Sequence, residues 1–339
     1  MSHVIRELVG AAAMDFLASQ WRDLYRQDAA ATVYQSPQWL TGWAEQLPVT
    51  ATPVVLVAQS PTGRTLGALA LAREDPSAAG PARTFALSAP MAEYVRPIGP
   101  HAEDPAVAAG LAFHLVLLSE REHVEITDVP TSSQLSRYLA QADAGWSHGT
   151  LACAEVPLPL DLDSMSRSTK RDHQRRERTW TRLADTHQVT YHRTRNRQEL
   201  HAAYAVLAQL HESRWARQAL LPGMALTDGA TQWQAVLDHC ASNAFIATLA
   251  LDDTVIAAQL CLVRGRTCYS LIPAMDPTHR PLAPGHALLR QLASDLAGEG
   301  FTALDLGRTA PGQESYKRQY RPIWSSTLSA VTTPQAAAA

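Results

Sequence analysis

Three apolar segments follow one another across two very short polar turns. They are FIATLAL (245–251), VIAAQLCLV (255–263) and RTCYSLIPA (266–274), separated by Asp252-Asp253 and Arg264-Gly265. Turns this short allow only antiparallel neighbours, so the run predicts a meander. The loop MDPTHRPLAPG then leads into a helical pattern over 285–299, ended by Gly298 and Gly300. TALDLGR (302–308) reads as a buried strand, GQESYKRQY (312–320) as a short helix and IWSSTLSAV (323–331) as a last strand. Upstream, 164–186 is a highly charged helix, VTYHRT (189–194) a strand, and 197–217 and 228–242 helices. The order β-α-α-β-β-β-α-β-α-β defines a mixed α/β fold in which a meander passes into a β-α-β unit.

The first half carries a fainter version of the same pattern. Residues 14–46 read as helical, with Ser36 as a cap before Pro37. PVVLVAQ (53–59) and TLGALALAR (65–73) flank Ser60-Pro61-Thr62-Gly63 as strand, turn and strand. A short strand over 84–88, a helix over 105–119, a strand in EHVEITDV (122–129), a helix capped by Ser132 and an extended stretch at 150–158 follow. PVVLVAQSPTGRTLGALALAR resembles FIATLALDDTVIAAQLCLVR, and EHVEITDVPTSSQLSRYL resembles FTALDLGRTAPGQESYKRQY, so the halves read as a structural repeat. Pro157 and Pro159 mark the boundary between domains at 1–158 and 159–333, with 334–339 a frayed tail.

Composition narrows the function. Lys+Arg is 29 against 32 Asp+Glu, a balance that argues against a dedicated nucleic-acid binder. No window approaches the roughly 20 apolar residues of a membrane span, and the first residues lack the pattern of a signal peptide. Four cysteines without metal-ligand spacing predict neither a disulfide scaffold nor a metal site, and point to a reducing cytoplasm. Cys261 and Cys268 are predicted to face each other across the Arg264-Gly265 turn. Trp39, Trp43 and Trp215 are assigned to the core, and the histidines show no ligand spacing. Only two of the 29 cationic residues are lysines, Lys170 and Lys317, so a lysine here is a chemical choice.

Six segments carry a family resemblance: YQSPQWLTGW (34–43), SAPMAEYVRPIG (88–99), RDHQRRERTWTRLAD (171–185), LHESRWARQ (210–218), APGHALL (283–289) and LDLGRTAPGQESYKRQY (304–320). Together they resemble the CelD-like branch of the GCN5-related N-acetyltransferases (GNAT), which is related to the Fem-type aminoacyl transferases. The resemblance covers roughly 30–330 and implies tandem GNAT-like domains, the second more complete than the first. It also implies transfer of an acyl group from acyl-CoA to a primary amine, of a small molecule or peptide, by direct attack on the thioester. No permanently bound cofactor is implied. A Fem-type enzyme would instead take its group from an aminoacyl-tRNA, and a degenerate module in polysaccharide assembly would catalyse nothing. The family's Gln/Arg-x-x-Gly-x-Gly/Ala loop is replaced here by Arg280-Pro281-Leu282-Ala283-Pro284-Gly285, which has a single glycine.

The resemblance implies a carrier threaded between diverging strands 266–274 and 302–308, with its phosphates at the start of the next helix. Arg280, Pro284, Gly285, His286, Tyr269 and Arg308 form the implied carrier-binding set. Lys317 is read as a cation near the acyl carbonyl or carrier phosphate, or else as a solvated helix lysine. Tyr316 is a general acid for the leaving thiolate, or packed core. Glu314 is a base for the amine, or a carboxylate favoured by the helix dipole. Asp305 binds the acceptor ammonium, or pairs with Arg308. The cations of the helix at 167–182 are a phosphate clamp, with Arg171, Arg175 and Arg178 as contacts to tRNA, or simply a solvated face. The acceptor site falls to the loops 88–100 and 218–228. Changes at 280–286 and 314–317 are expected to abolish activity, and changes at 100–104 to spare it.

Overall fold

A computed structural model of the chain describes residues 3–77, 80–142, 145–215, 226, 229–309, 312 and 314–332. The chain divides into two compact units, Met1–Cys153 with the chain from Ser325 onward, and Ala154–Trp324. The last strand, expected in the second domain, belongs to the first unit because it finds its hydrogen-bonding partner there.

In the first unit, β1 (Val4–Val9) pairs antiparallel with β2 (Ala51–Gln59), and β2 with β3 (Thr65–Glu74). β2 and β3 are covered on both faces, so they read as continuous apolar runs rather than alternating ones. β4 (Arg83–Ala86) pairs antiparallel with β3 and parallel with β5 (His123–Pro130). β12 (Ile323–Thr332) pairs antiparallel with β5, from Thr327–Pro130 to Val331–Glu125. The first part of β6 (Trp146–Pro157) completes the order β1-β2-β3-β4-β5-β12-β6. β1 escapes the sequence reading because an edge strand with half its residues in water has no apolar run to announce it.

The helical region expected over 14–46, with a helix start at Pro37, is three helices: α1 (Ala11–Ala18), α2 (Gln20–Gln27) and α3 (Pro37–Glu45). The Asp28 carboxylate accepts the Ala30 and Ala31 amides at 2.9 and 3.1 Å, offering the backbone a turn in place of more helix. Ser36 caps α3 as expected, accepting the Trp39 amide at 3.3 Å. α4 (Pro105–Ser119) is capped by Asp104, and α5 (Gln134–Leu139) by Ser133 rather than the expected Ser132. Trp39 and Trp43 lie in the core, ring centroids 5.7 Å apart.

The second unit contains α6 (Arg167–Ala184), β7 (Val189–Arg193), α7 (Arg197–Trp215), α8 (Ala230–Cys240), β8 (Ala244–Leu251), β9 (Thr254–Arg264), β10 (Thr267–Met275), α9 (Pro284–Gly298), β11 (Ala303–Thr309) and α10 (Glu314–Arg318). Its strand order is β6-β11-β10-β9-β8-β7. The meander over β8, β9 and β10 forms as its short turns require. Its second turn sits at Gly265-Arg266, one residue later than expected, because Arg264 pairs with Thr267. That register sets Cys268 opposite Val263 and Cys261 opposite Ser270, so the two thiols meet diagonally rather than face to face. They hydrogen-bond in the core, and burial pushes the Cys268 thiol well above its usual range. Leu288, Leu289, Leu292 and Leu296 of α9 seal one face of the sheet over Phe245, Ala257 and Leu304.

The expected repeat is present in each unit taken alone: antiparallel strands, a strand, a crossover helix, a parallel strand and a short helix. Among the described residues no helix is long and apolar enough to cross a membrane. The side chain of Trp215 and the tail 334–339 lie outside the described residues.

Candidate active site

β10 and β11 share only three parallel rungs, Thr267–Ala303, Cys268–Leu304 and Tyr269–Asp305. Past them the strands part, and two local features explain why. On β10 the pairing with β9 slips between Ser270 and Ile272, so Leu271 is an extra, bulged residue. On β11 Gly307 turns to a φ of +65°, and its amide donates to Asp305 Oδ1 at 2.6 Å. Asp305 is buried, so this bond holds its carboxylate at the strand end. The mouth of the cleft lies between Ser270–Met275 and Leu306–Thr309.

β10 runs into a tight 3₁₀ turn, Pro277–Leu282, capped by Asp276 through the Thr278 amide at 2.8 Å. Ala283 follows at φ 50°, ψ 55°, in the left-handed region. It stands where the family pattern has its first glycine and keeps a glycine's backbone conformation. Pro284 opens α9, and Gly285 sits second. A Cβ on Gly285 would meet only Met275 Sδ, at 3.9 Å, so the protein itself does not demand a glycine there. Its absent side chain leaves room for a ligand to approach the helix start, where amides and dipole favour an anion.

Three aromatic rings close on that helix start. His286 lies 4.8 Å from the Tyr316 ring and 5.8 Å from the Tyr320 ring, centroid to centroid. Its Nδ1 is 2.5 Å from the Tyr320 hydroxyl and 3.5 Å from Arg176 Nη1. Arginine can only donate, so Nδ1 is the acceptor and the ring proton sits on Nε2. Burial, reinforced by the charges of Arg176 and His173, lowers the His286 pKa to about 4 and keeps the imidazole neutral. Arg176 also donates to Gln319 Oε1 at 2.8 Å, and His173 Nε2 meets the Gln319 carbonyl at 3.2 Å. Trp180 donates to the Leu282 carbonyl at 3.0 Å, fastening α6 to the turn before α9.

Lys317 is held by the main chain of β11. Its Nζ donates to three consecutive carbonyls of β11, Leu306, Gly307 and Arg308, at 2.7, 2.8 and 2.7 Å. The structure thus gathers Pro284, Gly285, His286 and Tyr316 at one end of the cleft, and Asp305, Arg308 and Lys317 along β11. Tyr269 is buried on the last rung opposite Asp305. Arg280 and Glu314 lie on the flanking turn and on α10, and among the described residues neither hydrogen-bonds into the ring cluster. The sequence reading missed Tyr320, Gln319 and the separate role of Arg176. A helical wheel holds the signal: Tyr316 and Tyr320 are four apart, and Arg176 falls with His173, Trp180 and Leu183 on the inner face of α6.

The first unit has the same opening and fills it. β4 and β5 share three parallel rungs, from Arg83–His123 to Phe85–Glu125. The chain beyond β4 then turns back into the gap: the Val95 amide donates to the Asp128 carbonyl at 2.9 Å, and Ile98 pairs with Ala68 of β3. Of the two loops expected to hold the acceptor, 88–100 is packed here. Ser88, Ala92, Val95 and Arg96 line a small concavity with Trp21 and Tyr34. Of the other, 218–228, only Leu226 is described; its carbonyl accepts from the Tyr204 hydroxyl at 3.1 Å.

Residues 167–318 match the family described as acetyltransferase (GNAT) domain. No curated protein matches the sequence. Among solved structures the chain is similar to FemX, at 12% identity over 97% of each chain, with a TM-score of 0.60. It is similar to a tandem GNAT protein from the clavulanic acid biosynthesis pathway, at 14% identity over 98% of this chain and 100% of that one, TM-score 0.56. A third likeness is to L-PGS from Bacillus licheniformis, at 13% identity over 94% and 92%, TM-score 0.52. At these identities the likeness is one of fold. Residues 167–318 thus carry a GNAT acetyltransferase domain, the domain of an acyltransferase family, and the chain as a whole shares the fold of tandem GNAT proteins.

Proposed function

We propose that the second unit transfers an acyl group, acetyl in the simplest case, from acyl-CoA to a primary amine of a small molecule or peptide. The observation that carries this reading is the parting of β10 and β11 after three rungs, beside a helix start ringed by His286, Tyr316 and Tyr320. The pantetheine arm lies between the parted strands. The pyrophosphate sits at Pro284-Gly285, where neutral His286 offers its Nε2 proton as a further donor. The bulge at Leu271 frees a backbone amide to face the oxyanion that develops on the thioester carbonyl. The amine attacks directly, Tyr316 protonates the departing thiolate, and Glu314 accepts the amine proton directly or through water. The first unit, its own cleft filled, catalyses nothing. Four free, buried cysteines suit a reducing cytoplasm.

A second reading, transfer from an aminoacyl-tRNA, is favoured by one observation. Arg167, Arg171, Arg175, Arg178 and Arg182 are all exposed, and at 100° per residue they fall within about 80° of one another, opposite the buried face of α6. Such a line suits a phosphate backbone. Calorimetry with acetyl-CoA and with an aminoacyl-tRNA separates the readings. The first expects acetyl-CoA to bind the wild-type chain and Tyr316→Phe alike, with turnover lost in the variant. Binding of the aminoacyl-tRNA alone supports the second, and binding of neither refutes both.

A further inference from the structure

We propose that Lys317 is a positioning residue: its ammonium satisfies the carbonyls of β11 beyond Asp305, where the pairing with β10 has ended, and so holds the carrier cleft open. The role in binding rests on the reading of that cleft given above. An extended strand turns successive carbonyls to opposite sides, so three in a row cannot normally meet one donor. Here Leu306, Gly307 and Arg308 do, because Gly307 adopts a left-handed φ and its amide is held back on Asp305. An ammonium has three donors, and three carbonyls take them. A guanidinium, a planar fork, cannot aim three donors at acceptors gathered around a single point. That accounts for lysine at this position in a chain whose other cations, Lys170 apart, are all arginine.

The first unit shows what happens without the ammonium. Counting from the last shared rung, Asp128 stands three residues beyond Glu125, as Arg308 stands three beyond Asp305. The Asp128 carbonyl is taken by a backbone amide, that of Val95, and the segment bearing it occupies the space between the strands. The Arg308 carbonyl is taken by Lys317. A single side-chain ammonium satisfies the strand end without bringing a length of main chain into the cleft. On this view Asp305, Gly307 and Lys317 form one device, and none of them needs to touch the reacting atoms.

The test uses the full chain labelled with ¹⁵N-lysine, which carries only two such residues. Lys170 is partly exposed, beside Asp163, and its ammonium exchanges quickly. The expected spectrum at neutral pH therefore holds one protected ammonium signal, lost in Lys317→Met. In Lys317→Met and Lys317→Arg alike, the Kd for acetyl-CoA rises about tenfold or more, while kcat at saturating acetyl-CoA falls less than about threefold and its pH profile keeps its shape. Absence of a protected ammonium in the unaltered protein overturns the clamp itself. A large fall in kcat with unchanged Kd overturns the positioning role and makes Lys317 catalytic. Full rescue by arginine overturns the argument from three convergent donors. A protected ammonium in a wild-type chain that does not bind acetyl-CoA overturns the carrier reading, and the positioning role with it, while the clamp stands.

Discussion

Burial and the neighbouring charges of Arg176 and His173 hold the His286 pKa at about 4, against 6.5 for the free side chain. Between those values the unfolded chain binds a proton that the folded chain refuses, so stability rises with pH across that window and is lost as pH falls towards 4. The shift is worth up to about 3 kcal/mol. His286→Gln should flatten this dependence, read as urea midpoints at pH 4.5 and 7.5, because the variant has no imidazole to protonate. Ala283 offers the opposite test. An alanine held at φ 50° costs about 1 kcal/mol that glycine does not pay. Ala283→Gly should raise Tm by about 1–2 °C, and Ala283→Val should lower it, both read by calorimetry. The residue types at this helix start were visible in the sequence, and so was the missing glycine. That alanine takes the glycine conformation was not, because φ is imposed by the turn before it and the proline after it.

The helix α6 shows how much a charge pattern conceals. Its seven cations read in sequence as a phosphate clamp or as a solvated face, and the helix has two faces with different work. Arg176, His173, Trp180 and Leu183 point inward, and Arg176 reaches both Gln319 and His286. The five outward arginines sit at i,i+3 and i,i+4 spacings, where like charges oppose the helix by about 0.2–0.5 kcal/mol per pair. Replacing Arg171, Arg175 and Arg178 together with glutamine should therefore leave the unfolding free energy unchanged or raise it by up to about 1 kcal/mol. Trp180→Ala, which removes a half-buried ring and its bond to Leu282, should cost about 2–3 kcal/mol. Chemical denaturation of the two variants checks both, and a marked loss in the triple variant would mean that the outward face is structural. The strands of the meander were legible to within one residue, since short turns between apolar runs allow only antiparallel neighbours. The parting of β10 from β11 was legible only through family resemblance. Its causes are the bulge at Leu271 and the turn at Gly307, and neither leaves a mark in hydrophobic pattern.

At the scale of the molecule, one plan is used twice with opposite outcomes. Each unit sets a crossover helix between two strands that share three parallel rungs and then separate. In the second unit the separated ends leave a cleft at a helix start. In the first, Val95 and Ile98 return to stitch the gap shut, and the next helix opens on Asp104-Pro105, whose carboxylate already occupies the amide of Ala106 at 2.8 Å. An anion arriving there would meet a fixed negative charge instead of a free donor, so the first unit refuses a phosphate on electrostatic grounds as well as steric ones. The sequence already set the halves apart, since the first has no counterpart to Pro284-Gly285 or to Tyr316-Lys317, but it did not show what fills the first opening. The difference lies in a few hydrogen bonds of the segment 87–99, and a loop of that kind carries no periodic signal to read in advance. The stoichiometry of acetyl-CoA binding follows: titration calorimetry should return one site per chain. Gly285→Asp should abolish that site by setting a carboxylate at the second position of α9. Asp104→Ala should leave the count at one, because the Val95 stitch still fills the first cleft even when the negative charge is gone. A count of two in the unaltered protein would mean that segment 87–99 leaves its place when a carrier arrives, and that the two halves share the work.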